Sequence, residues 1–380
     1  MTNLLIRRGC GVFLLAAVLL GSGCSMRKSS GDIRVQGSGI QPELGFACCD
    51  QGLDEARRLF AQQGVVQQLK ALHAAVAIPA SDFSPERAAL VRQISQQGIP
   101  VVAGLALPAD EGYYLNADNA PQAAARFADF EQWTRAQQLT WAAVGLDIEP
   151  NFGQLAQLRE HRWRLIATLA QRSVAMRRME RAQQAYAQLV EQIRASGYPV
   201  QTYQMPYVPA ERGVHTTLAD RLLATPEVSG DQDYVMLYTS FARPAGAAVI
   251  RSLGQQARGI AIGSTSGPGI PGEGFGPLDW SEFSSDLIVA SHFTRHIGVY
   301  NLEGCVRQGF LPRLLTLDWS QTVVIPAASV QRASQRIALV RSVLWVGSNV
   351  IYLIAVALVV IGLLWHVRGK RKLHRGTPTT

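Results

Sequence analysis

The residues best suited to do chemistry are Asp147 and Glu149, in the stretch Gly145-Leu146-Asp147-Ile148-Glu149-Pro150. They close an apolar run that begins Trp141-Ala142-Ala143-Val144. Read as a strand, the run alternates faces, so both acids point one way while Leu146 and Ile148 point the other way into packing. Pro150 cannot continue a ladder, and the strand stops there. Two carboxylates on one face repel, which raises the pKa of one of them and keeps a carboxyl group protonated for acid catalysis. The bland alternative is a surface turn with two solvated acids, and the chain around the pair argues against it.

Apolar runs alternate with helical patterns on both sides of this stretch. The runs cover 43–50, 74–79, 99–107, 141–149, 199–205, 233–238, 259–264 and 296–303. Helical patterns follow them: an amphipathic stretch from Leu53 to Leu72, a helix opened by Ser84-Pro85 and closed by Gly98, and another from Pro121 to Gln138. An extended helix or helical pair spans roughly 153–196, followed by helices over 218–224, 246–257, 280–293 and 306–315. Eight strand–helix units predict a (β/α)8 TIM barrel. The rival, an open doubly wound sheet, usually carries a Gly-rich phosphate turn after its first strand; here that strand ends Cys48-Cys49-Asp50.

In such a barrel the active site lies at the C-terminal ends of the strands. Those ends carry Asp50, Asp147, Glu149, Gln204, Tyr207, Tyr238 and Glu303. Acidic, amide and phenolic groups converging on one mouth suit a carbohydrate, whose hydroxyls need donors and acceptors and whose rings stack on aromatic faces. Tyr113-Tyr114 is placed to line the mouth, and Trp280 follows a Gly/Pro-rich loop where it can serve as a sugar platform. Trp133, Trp163 and Trp319 read as helix-packing anchors.

The fourth run resembles glycoside hydrolase family 18, the chitinase-like barrels, whose fourth strand ends D-x-x-D-x-D-x-E. Asp147 and Glu149 match the last two acids, while Ala142 and Gly145 stand where the first two fall. Met236 and Tyr238 match that family's Met-x-Tyr on the sixth strand. The resemblance implies that Glu149 protonates the glycosidic oxygen, that Asp147 orients an acetamido group, and that Tyr238 helps hold it. Glu149-Pro150 also resembles the acid/base Glu-Pro of another large glycosidase clan, whose nucleophile sits on strand seven; the seventh run here ends in Ser264 and Thr265. Glu303, ending the eighth run, is the candidate second carboxylate, at about 5 Å from Glu149 for retention or about 6.5–9.5 Å for inversion.

Thirty-six Lys and Arg against 28 Asp and Glu give a net charge of +8. The excess is concentrated in 158–182 and in the tail Arg368 to Arg375, without interleaved aromatics, so no nucleic-acid partner is expected. The histidines lack metal-ligand spacing, and neither a metal nor a cofactor is predicted. Arg7-Arg8, an apolar run from Val12 to Leu20 and small residues before Cys24 read as an export signal or N-terminal anchor over 1–24, similar to a lipoprotein signal with Cys24 lipidated. From Ser342 to Val367 there is no Asp, Glu, Lys or Arg, enough for a helix crossing ~30 Å of hydrocarbon. Trp345 and Trp365 sit near its ends, and the basic tail marks the cytoplasmic side.

The expected plan is therefore a signal (1–24), a linker (25–40), a barrel (41–320), a second linker (321–341), a transmembrane helix (342–367) and a cytoplasmic tail (368–380). The barrel lies outside the cytoplasm, tethered to the inner membrane, with a polysaccharide as partner and other envelope proteins as a further class. Two functions compete: a glycosidase acting on an envelope or exported polysaccharide, and a non-catalytic barrel that binds a glycan or an envelope partner. An oxidising compartment favours cysteine pairing. First and eighth barrel strands are neighbours, so Cys305 is expected to bridge Cys48 or Cys49, Cys49 being favoured, and to close the barrel, worth roughly 4–5 kcal/mol by loop entropy.

Overall fold

A computed structural model describes residues 31–49, 52–151, 161–266 and 276–373. Its strands are β1 (Asp32–Gln36), β2 (Glu43–Ala47), β3 (Ala75–Ala80), β4 (Val101–Leu105), β5 (Ala143–Asp147), β6 (Val200–Gln204), β7 (Gln232–Met236), β8 (Gly259–Gly263), β9 (His296–Tyr300) and β10 (Thr322–Pro326). Strands β2 to β9 pair in parallel, in chain order, and close into a barrel as β9 pairs back on β2 from Glu43↔His296 to Ala47↔Tyr300. All eight predicted runs are barrel strands. They read clearly because strands covered on both faces become continuous apolar runs; in β8, every residue of Gly-Ile-Ala-Ile-Gly is buried.

The helices follow local chemistry. Ser84 accepts from the Arg87 N–H and Pro85 opens helix Pro85–Gln96. Asp279 and Glu282 form a reciprocal capping box at the start of helix Trp280–Ser291. The long helical region is a pair, Arg162–Ser173 and Met176–Ala195.

Two tyrosines fill the barrel's interior. Tyr203 and Tyr234 stack with centroids 5.2 Å apart and planes 13° apart. Glycines make room for them: a Cβ on Gly259 would come within 2.9 Å of Tyr234, and one on Gly145 within 3.2 Å of Tyr203. Small residues facing large ones is how a narrow barrel packs without voids.

The segments read as linkers hold structure of their own. β1 and β10 pair antiparallel outside the barrel, in register from Asp32↔Pro326 to Gln36↔Thr322. This ribbon lies on helix Trp280–Ser291, where the Ser38 N–H donates to Ser291 Oγ at 3.2 Å. After β10 the chain continues as one helix, Ala327–Leu373. Its first half buries Ala333, Ile337, Val340 and Leu344 against the barrel's outer layer. The predicted span 342–367 lies within it. Among the described residues no helix is long and apolar enough to cross a membrane, and several side chains of that segment lie outside those described. The expected signal with Cys24, the tail beyond Leu373 and Asp50 also lie outside the described residues.

Candidate active site

The end of β5 is built as the alternation predicts. Leu146 and Ile148 are buried at 0% and 2% exposure, while Asp147 and Glu149 remain half-exposed. Two neighbours hold the extended backbone past the strand. The Ile148 N–H donates to the Tyr203 carbonyl at 3.1 Å. On the other side, the Leu115 N–H donates to the Asp147 carbonyl at 3.1 Å and the Glu149 N–H to the Leu115 carbonyl at 3.0 Å. The loop after β4 therefore returns to lie beside the acids, bringing Tyr113 and Tyr114 with it; their rings meet edge to face at 5.0 Å.

Four tyrosines ring the pair. Burial pushes the Tyr114 phenol well up, and the charges of Glu149 and Asp147 push it further. The same causes, burial and then Asp147 and Glu149, raise Tyr238. Tyr203, below them, is raised by burial, by Tyr234 and by Asp147. Tyr300 closes the ring, its centroid 5.4 Å from that of Tyr238. Tyr114 and Tyr238 thus stay protonated, as neutral donors facing two carboxylates at any ordinary pH. The Tyr238 hydroxyl also donates to Met236 Sδ at 3.3 Å, so the two residues of the Met-x-Tyr pattern touch.

Other predicted residues lie elsewhere. Gln204 is 2% exposed, its amide nitrogen donating to the Val228 carbonyl at 2.7 Å and its oxygen accepting from Arg212 at 2.9 Å. Tyr203 takes the inward position of β6, so alternation turns Gln204 into the wall, where it holds the turn after the strand. Tyr207 is 1% exposed and hydrogen-bonds Thr225 among Glu211 and Asp220. Trp280 packs between Phe283 and Phe310, with the Arg313 guanidinium 4.3 Å over its ring, which uses the surface a sugar would need. Trp163, read as a packing anchor, is 83% exposed.

The cysteines correct the expected bridge. Cys48 is joined to Cys49, and Cys305 is an unbridged, buried thiol. The run predicted to extend to Glu303 ends as a strand at Tyr300, and a helix begins at Leu302. On a helix, residues two apart point to nearly opposite sides. Glu303 faces the cysteine pair, where its Oε1 accepts the Cys49 N–H at 2.6 Å, and Cys305 turns away toward Thr265 Oγ1 at 3.7 Å. Burial pushes the Cys305 thiol up to about 12, so it stays a thiol. Among the described residues one group of three potential metal ligands comes together, Cys48, Cys49 and Glu303, within 4.8 Å. With the two sulfurs bonded to each other, neither is available as a thiolate ligand.

Two residues of the ring carry a signal in the sequence. Tyr300 is the true last residue of β9, hidden by reading the strand three residues too long. Tyr203 sits on the inward face of β6, as Asp147 does on β5, and the two are register partners.

No known family model matches the chain, and no curated protein matches it. Among solved structures it is similar to the PgaB (BpsB) glycoside hydrolase domain from Bordetella bronchiseptica, with a TM-score of 0.45 and 10% identity over 73% of this chain and 99% of that one. It is also similar to the endo-β1,6-glucanase BT3312, with a TM-score of 0.38 and 13% identity over 70% of this chain and 66% of that one. At such identities neither neighbour carries residue roles over to this chain.

Proposed function

We propose that the chain is a membrane-tethered glycoside hydrolase acting on an envelope or exported polysaccharide, with Glu149 as general acid. The observation that carries this reading is the half-open pair Asp147 and Glu149, ringed by Tyr114, Tyr203, Tyr238 and Tyr300. Glu303 is drawn to the Cys49 N–H, which favours chemistry that needs no second enzyme carboxylate as nucleophile. A 2-acetamido sugar supplies its own: its carbonyl oxygen attacks C1 as Glu149 gives its proton to the departing glycosidic oxygen. Water then attacks C1 and passes a proton back to Glu149, releasing the sugar and restoring the acid. Asp147 orients the acetamido group and balances the cation, and Tyr238 donates to it.

One observation favours the second reading, a barrel that binds glycan without cutting it. Ala142 and Gly145 leave the pair without two acids of the longer motif, and Tyr203 occupies the space next to Gly145. Incubating the full chain with an N-acetylated β-hexosamine polymer and with its de-N-acetylated form separates the readings. The glycosidase yields shorter products from the N-acetylated polymer alone, by mass spectrometry. Retention of that polymer without cleavage supports the binder. For the tether, we place residues 25–340 outside and 368–380 inside; a cysteine introduced at 378 then resists membrane-impermeant labelling of intact cells.

A further inference from the structure

The C-terminal helix packs on the excursion after β6, which meets the loop beside Asp147 and Glu149. The helix begins after β10, beside the start of the ribbon strand β1. Ser334 lies 3.4 Å from Ser252, late in helix Gly246–Leu253 and close to where the chain re-enters the sheet at Gly259. The Arg341 guanidinium then donates to Gln256 at 2.8 Å and lies against Gly213 in the excursion after β6. Gly347 packs on Leu218 in the same excursion. That excursion belongs to the mouth: the Ala117 N–H, two residues past the Leu115 that pairs with the acid strand, donates to the Ala224 carbonyl at 2.6 Å. The helix therefore reaches the excursion that meets the mouth loop, and from Gly347 to Leu373 it continues for roughly 40 Å. Val356, Leu358, Val359 and Ile361 are exposed along this part.

A second element lies on the same side. Helix Arg162–Ser173 rests on helix Leu218–Leu223. It is attached through arginines: Arg172 donates to the Leu222 carbonyl at 3.1 Å and to Asp118 at 3.2 Å, and Arg221 donates to the Ser173 carbonyl. Among its described side chains only Arg172 is buried. Trp163 and Ile166 are 83% and 55% exposed, and Val174 and Met176 just beyond it are 67% and 54% exposed. Arg164, Arg177 and Arg181 are exposed among them. Arginines interleaved with tryptophan and aliphatic side chains along this helix and the start of the next, Met176–Ala195, suit an anionic membrane interface, where the apolar groups sink below the headgroups and the guanidinium groups stay among the phosphates.

We infer that the mouth faces the bilayer, with helix Arg162–Ser173 lying in its anionic interface beside the C-terminal helix. The inference rests on the tethered reading above and narrows the substrate to glycan held at the membrane surface. It is tested on the full chain, with Cys10 and Cys24 replaced by serine, in vesicles of phosphatidylcholine and phosphatidylglycerol containing a spin-labelled lipid. Single variants Trp163→Cys, Leu358→Cys and Gln96→Cys carry an environment-sensitive fluorophore; Gln96 ends a helix at the barrel's other end. The expected result is loss of most emission at 163 and 358 and none at 96. Quenching at 358 without quenching at 163, or equal quenching at 163 and 96, overturns the inference and leaves the tether standing. Absence of quenching at 358 overturns the tether, and the inference falls with it.

Discussion

The chain contains two pairs of acids beside tyrosines, and they differ in what surrounds them. Asp147 and Glu149 end a strand, partly exposed, and face phenols that remain protonated. Glu211 and Asp220, each 2% exposed, lie with Tyr207 behind the β6 turn. Glu211 accepts the N–H groups of Ala219 and Asp220 at 2.8 and 3.1 Å and the Thr216 hydroxyl at 3.0 Å, so it caps helix Leu218–Leu223. Burial pushes both carboxyls up, Asp220 furthest, with Glu211 itself as the next cause. The first pair is partly exposed, while in the second Glu211 holds backbone and Asp220 lies buried beside Tyr207. The types of residue are alike, and exposure decides which pair can be a reagent.

The largest expected effect tests the open pair. Glu149→Gln keeps the shape but removes the proton donor, and turnover is expected to fall by up to about 10⁴-fold with the thermal midpoint unchanged. Unchanged turnover removes Glu149 from the mechanism.

A third acid extends the comparison to pH. Asp286, 2% exposed against Thr239, has its carboxyl pushed up to about 7, chiefly by burial. The folded state then binds this proton more tightly than the unfolded state. Its stabilising contribution is fully present below about pH 4 and is lost as pH rises through about 7, with a ceiling of about 4 kcal/mol. Asp286→Asn is expected to flatten that part of the stability profile, measured by urea unfolding between pH 4 and 8. A profile as steep as that of the parent assigns the slope to other groups.

The buried pair gives the inverse of Glu149. Glu211→Ala strands two buried N–H groups and is expected to cost about 3 kcal/mol in urea unfolding, with turnover per folded molecule unchanged. Equal losses in both measurements would erase the distinction between the two pairs. The smallest effect belongs to the Cys48–Cys49 bridge, which closes almost no chain. Its reduction is expected to cost about 1 kcal/mol, against roughly 4–5 for a Cys49–Cys305 bridge. Peptide mapping finds both cysteines in one fragment, lighter by two hydrogens before reduction.

The strand order was legible because burial on both faces writes itself as apolar runs, and the inward pointing of Asp147 and Glu149 because alternation is strictly local. The tyrosine ring was not legible as a set. Tyr114 reaches it through a loop bridge between Leu115 and Ile148, and Tyr300 through closure of the barrel, neither of which has a local signature. Gln204 and Cys305 were misplaced by one rule extended too far. Ending a strand does not put a residue in the mouth unless its face is inward, and alternation ceases where a helix begins. The β1–β10 ribbon joins short segments from the two ends of the chain, and nothing in either names the other.

The close fit of Gly145 to Tyr203 has a consequence for how such a site could change. An aspartate at 145, the residue of the longer acidic motif, would enter space that the Tyr203 ring already fills at 3.2 Å from even a bare Cβ. Gly145→Asp alone is then an overpacked and charged intrusion, while Tyr203→Ala alone opens a void under Asp147. Only together do they offset one another. Their stabilities are expected to be non-additive, because the two side chains share one space.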